Sequence, residues 1–281
     1  MRVSHCLVAG SIMALASGCF KERNMSIEVM NQGVEATRAK AYDTAVRKFK
    51  EATQLDPSNH LAWAQMGIAY KDQKKWPEAA SAFAEATKIE SDNADYHYEL
   101  GNAYQESGKL ENAKTEYEAA IRSKSLYKAH YRLGTVLQAL DKPKEADSEY
   151  RKAIEINPRF AQAYIRLGYL YFDHDYDKES VQVFQNGVLA NDNDGECHLG
   201  LGLALQKTKQ YEEAIKEFKK AYELSPDLFL AQYNIGITYK MMDDKKNARE
   251  WLQKFITGAG TKGGADLVKA ASDAMYQLDA P

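Results

Sequence analysis

The chain has 281 residues, with 37 Lys or Arg against 40 Asp or Glu, so a net charge of -3 leaves no strongly basic domain to hold nucleic acid. Hydrophobic residues make up 44% and charged ones 27%, which suits a folded body with a sizeable core and excludes a disordered chain. Two of the three cysteines, Cys6 and Cys19, lie in or at the end of an apolar leader, so Cys197 stands alone in the body and no internal disulfide framework is possible.

In chain order the first element is that leader. Residues 1–18 open with the single cation Arg2, continue through the apolar run from Cys6 to Ala16, and end in small residues. This is the layout of a secretory signal, and the run is too short to span a bilayer. The stretch Leu15, Ala16, Ser17, Gly18 before Cys19 resembles a bacterial lipobox, with Ala16 where that family most often has Leu. The resemblance implies cleavage before Cys19, a diacylglyceryl group on its sulfur and an acyl group such as palmitate on its new amine, more than the two signals stable anchoring needs. Phe20 follows Cys19 where an inner-membrane retention signal would have Asp, which points to the outer membrane. An ordinary signal peptide cleaved near Gly18 is the alternative. Residues 19–25 then form a lipidated tether ahead of a first helix near Ser26, a reach of roughly 25 Å if extended.

From there an internal period governs the chain. Glycines recur at Gly33, Gly67, Gly101, Gly134, Gly168, Gly202 and Gly236, in steps of 34 residues with one step of 33. Twelve positions after each comes Ala45, Ala79, Ala113, Ala146, Ser180, Ala214 or Ala248. Sixteen after comes Phe49, Phe83, Tyr117, Tyr150, Phe184 or Phe218, with Leu252 the exception in the last unit. Nineteen after come Ala52, Ala86, Ala120, Ala153, Gly187 and Ala221, and twenty-four after come Pro57, Pro158 and Pro226. Each unit predicts two amphipathic helices, with Gly and Ala where they cross and aromatics filling the gaps. Pro77 and Pro143 sit where a first helical turn tolerates them. One helix pair cannot bury its apolar face alone, so neighbours must stack. The glycine-rich stretch over residues 258–264 predicts a flexible linker, and residues 265–279 a final amphipathic helix that caps the stack or docks on a partner.

Candidates for chemistry are few. His97, His130 and His198 share one slot, four residues before the glycine, which elsewhere holds Trp63 and Tyr164; a metal site does not explain a slot shared with Trp. The acidic run over residues 173–177 falls at a turn between two helices, where carboxylates are solvated. Residues 191–196 lack the ligands of a calcium loop, because Ala190 and Leu201 fall where its first ligand and bidentate Glu belong; the acids cap the next helix instead. Cys197 has no His and orienting group beside it and reads as a packing residue. No P-loop, dinucleotide fingerprint or nucleophile elbow occurs, so no enzyme, cofactor or small-molecule substrate is expected.

The recurring offsets over residues 26–257 resemble the tetratricopeptide repeat, in seven units with weaker ends. The resemblance implies an all-α, right-handed superhelical solenoid of helix-turn-helix repeats whose first helices line a concave groove that binds partner peptides or helices. Carried over position by position, the groove comprises Tyr98, Asn102 and Gln105, then Tyr131, Thr135 and Gln138, then Ile165, Tyr169 and Phe172, then Leu199, Leu203 and Gln206, and finally Tyr233, Ile237 and Lys240. Aromatic and apolar groups with interleaved amides suit an apolar peptide or helix, although several of these side chains could instead pack against adjacent helices. Relatives that clamp a terminal carboxylate use a basic set of which only Lys128 and Arg132 match; Ala64, Ile68 and Glu99 occupy the other places. With the lipobox, the pattern resembles the lipoprotein pilotins that help secretin rings of type IV pili assemble, implying a secretin as partner and the lipid anchor as membrane contact. An adaptor for peptidoglycan hydrolases or proteases and a structural component of a motility complex are the other readings.

Overall fold

The computed structural model describes residues 4–259 and 264–279, with side chains over 21–258 and 264–278. Among the described residues the chain is all-α, and it divides into two compact units, Met1–Lys142 and Pro143–Pro281. The first holds α1 (Ser4–Arg38), α2 (Tyr42–Leu55), α3 (His60–Asp72), α4 (Trp76–Ile89), α5 (Ala94–Glu106), α6 (Leu110–Ser123) and α7 (Tyr127–Ala139). The second holds α8 (Pro143–Ile156), α9 (Ala161–Asp173), α10 (Asp177–Ala190), α11 (Gly195–Lys207), α12 (Tyr211–Leu224), α13 (Phe229–Met241), α14 (Lys245–Ala259) and α15 (Ala265–Asp279). Each odd-numbered helix up to α13 carries one of the recurring glycines.

The glycine and the aromatic sixteen residues on form one contact, repeated. A Cβ on Gly67 would lie 2.8 Å from the Phe83 ring, and the same atom would lie 2.6 Å from Phe49 at Gly33, 2.7 Å from Tyr117 at Gly101, 2.6 Å from Phe184 at Gly168 and 2.5 Å from Phe218 at Gly202. The ring of the second helix therefore rests on bare backbone of the first, where any larger residue overpacks the site. The alanines twelve and nineteen positions on are fully buried where helices cross. Ser180 replaces alanine in the fifth unit, and its buried hydroxyl donates to the Gly168 carbonyl at 3.0 Å, so the polar group carries no unpaired cost. In the last unit Leu252 takes the aromatic's place over Gly236, while Phe255, also fully buried, stacks edge-on against Tyr233.

A second periodicity, invisible to a hydrophobicity pattern, sets the turn within each repeat. Seven residues after each glycine the backbone enters the left-handed region, at Lys40, Lys74, Gly108, Asp141, Asp175, Lys209 and Asp243. The next amide returns to a carbonyl five residues back, as with Lys75 N to Tyr70 O at 2.9 Å and Gln210 N to Leu205 O at 2.9 Å. This is the Schellman closure of a helix C-terminus, and it normally selects glycine. Only Gly108 meets that preference. Several inner helices begin on a side-chain cap, with Asn59, Asn93 and Asp194 accepting amide hydrogens from α3, α5 and α11.

α1 starts at Ser4, so residues 19–25, read in the sequence as the tether, lie within this helix and span about 10 Å. The apolar leader contains no proline and continues the helix of the first repeat without interruption. The Cys19 side chain lies outside the described residues, as do residues 260–263 of the expected linker, whereas Gly258 belongs to α14. α15 packs Ala271, Ala274 and Leu278 against Leu252 and Phe255, occupying the place of the next repeat's first helix.

Candidate protein-interaction surface

In the first unit the predicted inner residues form a hydrogen-bonded network around a buried tyrosine. The Tyr117 hydroxyl lies 2.8 Å from both Asn102 Oδ1 and Gln105 Oε1, and its single proton serves one of them at a time. Gln105 in turn donates from Nε2 to Thr135 Oγ1 at 3.3 Å, and Thr135 donates to the Arg132 carbonyl at 2.7 Å. Burial pushes the Tyr117 pKa up, partly opposed by the Arg132 guanidinium, so the hydroxyl stays a neutral donor. Tyr98 leans on Tyr117 with ring centroids 6.0 Å apart, and its hydroxyl bonds the Arg132 guanidinium. Tyr131 and Gln138 are half-buried beside them. Next to this network lies a concavity of about 500 Å³ with Ala64, Ile68, Phe83 and Leu126 in its apolar lining and Asp95, Glu99 and Lys128 among its polar groups. Glu99 is paired with Lys71 at 2.9 Å, and Arg132 is held by Tyr98, so two of the charged places of the carboxylate-binding set are already engaged.

In the second unit two of the nine predicted inner residues are taken up by packing, and the other seven are half-buried with partners within the unit. Ile165 and Leu199, expected on the partner surface, are 7% and 5% exposed and belong to the core. The cause is small residues between α10 and its neighbours: Gly200 of α11 lies against the Phe184 ring, and Gly187 of α10 lies against Tyr164 and Cys197, so Ile165 packs with Cys197 and Val188. Tyr169 lies edge-on to Phe184 at 5.1 Å, and burial pushes its hydroxyl up to about 12. Lys207 sits 4.7 Å over the Phe172 ring while donating to the Phe172 carbonyl at 2.9 Å and to Asp175 at 2.6 Å. Leu203 is half-buried, and Gln206 donates to Thr238 Oγ1 at 2.7 Å. Tyr233 and Ile237 pack against the core that α15 completes, and Lys240 donates to Gln277 of that helix.

The histidine slot has a hydrogen-bonding logic that sequence reasoning missed. Trp63 Nε1 donates to the Pro57 carbonyl at 3.1 Å, Tyr164 Oη to the Pro158 carbonyl at 3.2 Å, His97 Nε2 to the Ser91 carbonyl at 2.9 Å and His198 Nε2 to the Asp192 carbonyl at 3.1 Å. Trp63, Tyr164, His97 and His198 thus tie the start of a repeat to the turn six residues before it, and His130 makes a related contact to Ser125 Oγ at 3.0 Å, whereas Val29 and Gln232 fill the slot in the first and last repeats. What indole, phenol and imidazole share is an N–H or O–H donor on a ring of sufficient reach. His97 and His198 also meet carboxylates, Glu116 and Glu217, each at 2.6 Å through Nδ1. Burial opposes charge on His198, but Glu217 and the Asp192 carbonyl outweigh it and hold its pKa above the ordinary value.

Among the described residues no group of three or more His, Cys, Asp or Glu side chains is placed to hold a metal ion. The acidic turn at residues 173–177 instead uses Asp175 and Asp177 to bind Lys207. Asp194 caps α11 through the amides of Glu196 and Cys197, as the sequence predicts. Cys197 is fully buried, and burial first, with Asp194 and Glu196 adding to it, pushes its thiol up to about 12, which suits packing rather than nucleophilic attack.

Stacked helix pairs with a lined inner face define a helical-repeat protein-interaction fold. Within it, residues 67–108 and 202–243 match a family model described as "TPR repeat", and residues 94–125 and 127–160 match models described as "Tetratricopeptide repeat". Among curated relatives, the peroxisomal targeting signal receptor of Candida glabrata is 26% identical over 113 residues, 40% of this chain and 19% of that protein. Human protein O-mannosyl-transferase TMTC3 is 34% identical over 80 residues, 28% of this chain and 9% of that protein. The chain thus spans less than a fifth of either. Three solved structures share the fold. That of Pseudomonas aeruginosa PilF has a TM-score of 0.64 at 18% identity, covering 80% of this chain and 99% of that one. A tetratricopeptide repeat protein from Parabacteroides merdae has a TM-score of 0.63 at 17% identity, covering 88% and 98%. YrrB, described as a TPR protein with an unusual peptide-binding site, has a TM-score of 0.53 at 22% identity, covering 65% and 95%.

Proposed function

We propose that this protein is a non-catalytic scaffold, lipid-anchored through Cys19 to the periplasmic face of the outer membrane, that binds an envelope protein through the inner face of its repeats. The observation that carries the binding role is the Tyr117-centred network, which holds aromatic and amide groups half-buried beside an open apolar concavity, the arrangement a peptide-binding surface needs. The address rests on the lipobox-like end of the leader. A secretin is the partner this reading favours, because the architecture and the address together match those of the pilotins; the likeness to the PilF structure is one of fold. An adaptor for peptidoglycan hydrolases would use the same surface. Photo-crosslinking in intact cells from a probe at position 98 is expected to capture an outer-membrane secretin. Capture of cell-wall hydrolases alone rejects the pilotin role, and unchanged membrane fractionation of the Cys19→Ala variant rejects the anchor.

A further inference from the structure

The repeats provide an internal comparison that isolates one slot. Six residues before each glycine, the inner helices α1, α3, α5 and α7 of the first unit carry Ile27, Leu61, Asp95 and Lys128. The slot lies on the same helical face as the groove residues three before and one after the glycine. All four side chains are exposed, Ile27 by 44% and Leu61 by 48%, and both Asp95 and Lys128 line the concavity beside Tyr98. No fold requirement selects them, because one structural position is filled by two aliphatic residues, an acid and a base, while the neighbouring glycine and aromatic slots scarcely vary. A row in which chemistry changes and backbone does not is a row free to encode a ligand.

We infer that the first unit selects an extended partner segment presenting, in order along the groove, two apolar side chains, a basic one and an acidic one. The order follows from complementarity: apolar groups cover Ile27 and Leu61, a cation meets Asp95 and an anion meets Lys128. Spacing follows from geometry, since stacked helices lie about 9–10 Å apart and an extended chain advances about that far in three residues. The inference rests on the reading of the inner face as the binding surface.

The test uses the full chain and two fluorescein-labelled decapeptides, Leu-Ser-Gly-Leu-Ser-Gly-Lys-Ser-Gly-Glu and its reversed sequence, because the groove direction of the segment is open. Each is compared by fluorescence anisotropy with a counterpart in which Lys and Glu are exchanged. One of the two is expected to bind roughly five- to tenfold more tightly than its exchanged counterpart. The double variant Asp95→Lys with Lys128→Asp is expected to reverse that preference, and Asp95→Asn with Lys128→Gln, which keeps volume, to abolish it. Leu61→Asp should weaken binding of both members of the preferred pair alike. Equal affinity for native and exchanged order in the wild type, or an unreversed preference in the double variant, overturns the inference. If peptides show no order preference while position 98 still crosslinks a partner in cells, only this inference fails; if crosslinking fails as well, the binding surface itself is wrong.

Discussion

The inner faces of the two units are built from the same repeat positions and filled with different chemistry. In the first unit Tyr98, Asn102, Gln105 and Thr135 stay half-buried, held from beneath by the Tyr117 hydroxyl. In the second, Ile165 and Leu199 vanish into the core, and the half-buried Tyr233 and Ile237 pack against the cluster that α15 completes. The difference comes from the neighbours: small residues in α11 let apolar inner side chains close on one another, whereas amides and hydroxyls in α5 and α7 satisfy each other at the surface. On the proposed reading, binding concentrates where the inner slots are polar.

The largest way to break this contrast is to empty the anchor of the first unit. Tyr117→Ala removes a fully buried ring and is expected to cost about 3–5 kcal/mol of stability in denaturant unfolding. Tyr117→Phe keeps the ring and should cost about 1 kcal/mol while loosening Asn102 and Gln105, so partner affinity falls more than stability does. In the second unit Gly202→Ala places a methyl 2.5 Å from the Phe218 ring, for an expected loss of about 1–3 kcal/mol despite alanine's better helix propensity. A smaller effect of opposite sign is expected at the turns: Lys74→Gly relieves a left-handed lysine and should stabilise the first unit by about 0.5–1 kcal/mol, visible as a higher midpoint of thermal unfolding. The smallest is pH-dependent. The His198 pKa is raised on folding, so its stabilisation is full below its unfolded value near 6.5 and fades as pH rises through the folded value. The melting-temperature loss in His198→Gln should accordingly be larger at pH 6 than at pH 9.

How much of this was legible in the sequence depends on what each slot does. The glycine and aromatic offsets predicted the helix pairs because they encode one steric contact, Gly67 under Phe83 and its equivalents, and a steric contact leaves a fixed spacing. Asp194 was legible as a cap because a short acidic side chain just ahead of a helix accepts its free amide hydrogens. The left-handed turn residues were not, since lysine and aspartate at Lys40, Lys74 and Asp175 carry no glycine signature. Nor was the histidine slot's common bond, because indole, phenol and imidazole look unlike one another until each is seen donating to a preceding turn. The division of the groove residues into core and surface depended on how closely α11 approaches its neighbours; Gly200 beside Phe184, with Gly187 beside Cys197, was the signal for it. The hydroxyl of Tyr117, distinguishing it from Phe49 and Phe83 in the same slot, was the signal for the polar network.

The central claim is that a partner engages the inner face of the first unit. Photo-crosslinkable residues placed in living cells at position 98 on that face and at position 189, where Leu189 is 84% exposed on α10 of the second unit, compare the two surfaces directly. The account predicts one discrete adduct from position 98, weakened by Leu61→Asp, and no matching adduct from position 189. The same adduct from both positions, or from position 189 alone, would contradict it.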